Sequence, residues 1–92
     1  MPDIIITRCD EPLEETILQK IALFCNVEED CVIENLTLPV LYEAPLMLEK
    51  NGLARVVCRK LGLQCGAPDL SDWNAMLDRV RSATKPVKIA LV

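Results

Sequence analysis

Ninety-two residues allow one small domain, and a chain of this size buries only about 60–65% of its unfolded surface. A hydrophobic content of 51% against 26% charged excludes a disordered tail, and three glycines with six prolines exclude collagen-like or linker-type chains. The net charge of −4 is uneven: residues 1–50 hold eleven Asp and Glu against three Lys and Arg, whereas residues 51–92 hold three against seven, which excludes general binding to a nucleic-acid backbone by the first half.

Asp3-Ile4-Ile5-Ile6-Thr7 predicts a short buried strand of the parallel-sheet type, with Arg8 at its C-terminal end. A helix follows, with Asp10 as N-cap, Pro12 in the first turn and Glu11, Glu14 and Glu15 at the positive end of the dipole. Leu13, Ile17, Ile21 and Phe24 recur every three to four residues as one buried stripe, Lys20 lies off it, and Asn26 closes the helix. Cys31-Val32-Ile33 predicts a second buried strand, so strand, helix and strand form a βαβ unit. Asn35 to Pro39 predicts a loop. A short helical turn comes next, then a second segment through Lys50, broken by Pro45 and stopped by Asn51-Gly52. Leu53 to Leu61 is an amphipathic helix ended by Gly62. Gln64 to Pro68 is a linker, and Ser71 caps a helix with Trp73, Met76, Leu77 and Val80 on one face. Val87 to Val92 carries a strong strand signal, and as an unpaired edge it would be an aggregation hazard. The expectation is a strand that opens a following domain, in a chain cut from something longer.

No apolar run approaches the roughly 18–20 residues that cross a bilayer, and Met-Pro-Asp-Ile lacks the features of a secretory leader. Cytosol is the expected compartment, with no membrane and no nucleic acid as partner. The absence of histidine excludes a Ser-His-Asp triad and any His-ligated metal site within these residues. Cys9, Cys25, Cys31, Cys58 and Cys65 have no C-x-x-C spacing. Cys25, Cys31 and Cys58 read as small apolar core residues, and Cys9 and Cys65 as partly exposed. A four-thiolate zinc site is the alternative.

Several collinear stretches resemble one family. They are Pro2-Asp3-Ile4-Ile5-Ile6-Thr7-Arg8, Lys20-Ile21-Ala22-Leu23-Phe24-Cys25-Asn26-Val27, Leu41-Tyr42-Glu43-Ala44-Pro45-Leu46-Met47-Leu48-Glu49 with Gly52-Leu53, and Pro68-Asp69-Leu70-Ser71-Asp72-Trp73. All are similar to CTP synthase, the glutamine-dependent amidoligase. The final Val87 to Val92 resembles the start of that family's glutaminase domain. The resemblance implies an α/β fold, part of a P-loop-type, dethiobiotin synthetase-like three-layer architecture with short parallel strands. It divides the chain into the C-terminal part of the synthetase domain (1–66), an interdomain linker with a helix (67–86) and the first glutaminase strand (87–92).

The resemblance further implies that Lys20 contacts the pyrimidine nucleotide, UTP as substrate or CTP as inhibitor. It also implies that Leu36, Thr37 and Leu38 frame the adenine of ATP. Arg8 is a separate reading: at the end of a parallel strand its guanidinium could stack on adenine, the bland alternative being an ion pair with Asp10. No catalytic residue is expected here. Neither a P-loop nor carboxylates for the Mg²⁺ that accompanies ATP are recognisable in the sequence. The implied partners are ATP, UTP, CTP, the rest of the synthetase and glutaminase domains, and further copies in a dimer or tetramer. A function of a different class, a small autonomous helical interaction module, is the alternative suggested by the charge asymmetry.

Overall fold

The computed structural model describes residues 1–92 as a mixed α/β chain with two parallel strands and four helices. Strand β1 (Ile5–Cys9) and strand β2 (Val32–Leu36) pair in parallel, with Ile5 opposite Val32 and Cys9 opposite Leu36. The crossover between them is helix α1 (Glu15–Cys25), followed by a 3₁₀ turn at Glu29–Cys31. The βαβ unit expected from the alternation of apolar runs is therefore present; β1 lies two residues further along than expected, and β2 starts one residue later and ends three later. Leu36, expected in a loop, is the last residue of β2.

The start of α1 differs from the sequence reading. Asp10 does not cap it; the helix begins five residues later, and Glu14 occupies the cap position without a side-chain bond. The Asp10 carboxylate instead accepts the Thr37 hydroxyl, and the Leu13 N–H is satisfied by Glu34 at 2.7 Å. The end of α1 is as expected. Asn26 adopts φ 53°, and the N–H groups of Asn26 and Val27 return to the carbonyls of Leu23 and Ala22. The apolar stripe is largely open, since Phe24 is 86% exposed and only Ala22 is buried on this helix. Leu13 and Ile21 of that stripe are half-buried, and Ile17 and Phe24 are exposed.

A 3₁₀ turn at Leu41–Glu43 leads into α2 (Ala44–Lys50), in whose first turn Pro45 needs no hydrogen-bond donor. The short turn followed by a second helix through Lys50 is as expected, with Pro45 in the first turn of the second. Gly52, at φ 83°, turns the chain into α3 (Leu53–Lys60). The core is small: Cys31, Ile33 and Val56 pack with Ile4, Val27, Leu48 and Leu53, joining β2 to α2 and α3.

After α3 the segment 63–70 is irregular and leads to α4 (Ser71–Ser82). Ser71 is the first helical residue rather than the cap. The Asp69 carboxylate accepts its N–H at 3.0 Å, and the Ser71 hydroxyl and backbone together hold that carboxyl below its usual range. Helix α4 docks on the turn before α2. Leu77 is fully buried, the Trp73 indole donates to the Tyr42 carbonyl at 2.7 Å, and Arg81 pairs with Glu43 at 2.6 Å. The Trp73 and Tyr42 rings meet edge to face with centroids 6.5 Å apart.

Residues 87–92 are not a strand. They have no regular structure and are exposed, with Ile89 at 83%; a strand needs a ladder partner, and the only sheet is β1–β2. The radius of gyration of 16.7 Å exceeds the roughly 12 Å of a compact chain of this length.

Candidate nucleotide-facing crest

Parallel strands that run side by side end side by side, and the C-terminal ends of β1 and β2 form one crest with the loops that leave them. Arg8 stands there, opposite Asn35. Its Nη1 donates to the carbonyls of Cys9 at 3.1 Å and Asn35 at 3.2 Å, so the guanidinium bridges both strand ends. The expected alternative, a pair with Asp10, is not formed. Asp10 holds Thr37 instead, and the Thr37 N–H donates to the Cys9 carbonyl at 3.0 Å.

Two further bonds fix β2 beneath this crest. The Leu36 N–H reaches the Met47 sulfur at 3.2 Å, and the Asn51 amide donates to the Glu34 carbonyl at 2.9 Å. Leu36, Thr37 and Arg8 are thus brought together on adjoining strand ends. Leu38 follows half-buried, at the start of the chain that runs to the 3₁₀ turn. Lys20 is not part of this contact network. It is exposed in the middle of α1 and enters none of the chain's ion pairs.

The densest charge cluster lies at the opposite end of the sheet, before β2. Arg59 bonds Asp30 at 2.6 Å and Glu28 at 2.7 Å, Arg55 reaches Asp30 at 3.4 Å, and Lys60 reaches Glu28 at 3.5 Å. The Arg59 guanidinium, helped by Arg55 and the Cys31 thiol, holds the Asp30 carboxyl well below the usual carboxylate range, against the opposing effect of burial. Glu28, Asp30 and Cys31 are close enough to one another to hold a metal ion. Their oxygens, however, already face three cationic side chains, and one donor is a thiol that hard magnesium does not favour. This donor set does not fit the Mg²⁺ that would accompany ATP.

A pair of parallel strand ends bearing a bridged arginine and a hydroxyl-latched loop, joined by a crossover helix, defines a βαβ unit of the α/β class. Comparison with known proteins makes this specific. The family profile described as CTP synthase N-terminus matches residues 1–63, from the start of the chain to the turn after α3. Relatives named CTP synthase align over 91 residues, 99% of this chain. The one from Ruminiclostridium cellulolyticum is 48% identical, and those from Thermococcus gammatolerans and Clostridium perfringens are each 50% identical. The chain belongs to the CTP synthase family. It spans 17% of the length of these relatives. A collinear match of this extent leaves the autonomous interaction module without support.

Proposed function

We propose that this chain supplies part of the nucleotide-binding surface of a CTP synthase and carries no catalytic residue of its own. In the parent reaction the γ-phosphoryl group of ATP passes to O4 of UTP. Ammonia from glutamine hydrolysis then adds at C4 and expels phosphate, giving CTP. Arg8 and the loop Leu36-Thr37-Leu38 would receive the adenine, and Lys20 the charged end of UTP or CTP. Arg8 on the joined strand ends, in a chain of this family, is the observation that carries the reading. Its guanidinium is held by two carbonyls, so a flat cation already stands where an open parallel sheet meets its ligands. Lys20 brings an uncommitted ammonium on a regular helix, suited to triphosphate charge.

The rest of the reading rests on the family resemblance. The two strands would be part of a larger P-loop-type sheet, residues 67–86 the linker and 87–92 the first glutaminase strand. The assembled enzyme would be an ATP-dependent, cytoplasmic dimer or tetramer with glutamine amidotransferase activity, and these 92 residues alone would be inactive. Magnesium would bind with ATP through residues outside this chain, and no step is assigned to it here. No helix is long and apolar enough to cross a membrane.

The test is steady-state kinetics of the complete enzyme. Lys20→Ala is expected to raise the KM for UTP about 10- to 100-fold, the size of one lost charge-assisted contact, with the KM for ATP little changed. Arg8→Ala is expected to do the reverse. Unchanged UTP kinetics in Lys20→Ala, or equal loss of both nucleotides in Arg8→Ala, would overturn the assignments.

A further inference from the structure

Cys58 lies near the end of α3 and Cys65 in the irregular segment beyond it. Seven positions apart, they would share one helix face but stand about two turns, roughly 10 Å, apart if the helix continued. It does not continue. Gly62 takes φ 67°, its N–H bonds the Arg59 carbonyl at 3.1 Å, and the Leu63 N–H bonds the Cys58 carbonyl at 2.8 Å. This reversal folds the following residues back along α3. Cys58 and Cys65 consequently line one open cavity of about 1050 Å³, together with Glu49, Arg55, Arg59 and Leu63. There the neighbouring Cys65 thiol, with burial and the Glu49 carboxylate, pushes Cys58 up from its ordinary value. Cys65 is exposed and Cys58 half-buried, so the two differ in access to a reagent. The other thiols are placed otherwise: Cys31 is fully buried beside Asp30 and Arg59, and the Cys9 thiol lies on the Thr7 carbonyl of its own strand.

We propose that Cys58 and Cys65 are a redox modification site that takes up a low-molecular-weight disulfide and closes to an internal disulfide, tying the segment 63–70 to α3. The exposed Cys65 thiolate attacks one sulfur of oxidised glutathione and expels the first glutathione thiolate. Cys58 gives its proton to solvent and attacks the Cys65 sulfur, expelling the second. Two protein thiols are oxidised and one glutathione disulfide is reduced to two thiols, so atoms and electrons balance. The raised Cys58 suits the second role, because an intramolecular thiol need not be largely ionised to capture a neighbour held beside it. Arg55, with its side chain 65% exposed on the cavity wall, offers a cation to the carboxylates of glutathione. The bond would shorten the free connection between α3 and α4 to the few residues after Cys65.

The experiment exposes the full-length native protein to oxidised glutathione, quenches it with acid and maps non-reduced tryptic peptides by mass. The expected product is the fragment Val56–Arg59 joined to Leu61–Arg79, two hydrogen masses below their sum and free of glutathione. In Cys58→Ser the reaction is expected to stop with glutathione on Cys65, persisting at least about ten times longer than in the wild type. Wild-type protein that keeps glutathione on Cys65 while Cys58 stays alkylatable would overturn the proposal. So would disulfides formed instead through Cys9, Cys25 or Cys31. The wild-type map decides by itself, and the same map after Cys65→Ser, an exposed position, checks that Cys58 is not the first site of attack.

Discussion

Residues 1–60 contain five of the six buried side chains, whereas residues 61–92 contribute only Leu77. The first region closes on itself: β2 lies against β1 on one edge, and its Ile33 faces Val56 of α3. The second is attached at points, through Leu77, the Trp73 indole and the Arg81–Glu43 pair. Both regions have similar amphipathic periodicity in sequence. The contrast teaches that a helical stripe becomes core only where the topology returns another element to it, as α2 and α3 return to β2. Helix α1 makes the same point within the first region, since it leaves Leu23 and Phe24 exposed.

Removing the centre of the first region is expected to have the largest effect. Ile33→Ala should cost about 2–5 kcal/mol, a large fraction of the stability of so small a domain, and should lower the urea midpoint of the whole far-ultraviolet transition. Leu77→Ala should cost about 2–3 kcal/mol, but mainly in the docking of α4. Trp73 is the only tryptophan and sits on that helix, so its fluorescence reports α4 alone. In Leu77→Ala the fluorescence midpoint should fall below the circular dichroism midpoint. Coincident midpoints that shift together would break the distinction between the regions.

The smallest effect concerns the ion cluster that tethers α3 to the turn before β2. Asp30→Asn should destabilise by about 1 kcal/mol at pH 7, the modest size expected of a solvent-accessible network. Its pH dependence has a definite sign. In the folded chain Arg59 keeps Asp30 ionised well below the point, near 3.9, at which an unfolded aspartate takes up its proton. The unfolded state therefore binds the proton first, and the contribution is complete above about pH 5 and disappears as the pH falls below about 4. The stability difference between wild type and Asp30→Asn should be flat from pH 7 to 5 and shrink below 4. A difference that grew on acidification would show that Asp30 acts through something other than its charge.

Much of this was readable from residue order. The closure of α1 at Asn26, the turn at Gly52 and the end of α3 at Gly62 are local events, fixed by side-chain shape and backbone freedom, and they fall where the sequence places them; the β-branched runs mark both strands but not their ends. Asp10 and Ser71 were misplaced as caps because a nearby competitor satisfied the same need: Thr37 for Asp10, and Asp69 for the Ser71 N–H. Residues 87–92 have strand composition but no partner, and composition alone makes no ladder. At the crest, Arg8 stands at the strand end where its place after Thr7 puts it, whereas Leu36, expected in the loop, closes β2. The double carbonyl bond of Arg8 depends on the register of two strands and could not be seen in one. That Cys58 and Cys65 line one cavity is not legible from a gap of seven, because Gly62 reverses the chain between them. That glycine was the available signal.

The bridged Arg8 has a kinetic and entropic meaning beyond its position. A free arginine samples many rotamers, and freezing it against a ligand costs roughly 2 kcal/mol. Two main-chain carbonyls already restrain Arg8 here. In the role proposed above for it, a lysine at this site would keep the charge yet lose the plane and that prior restraint, and would have to be ordered at each encounter.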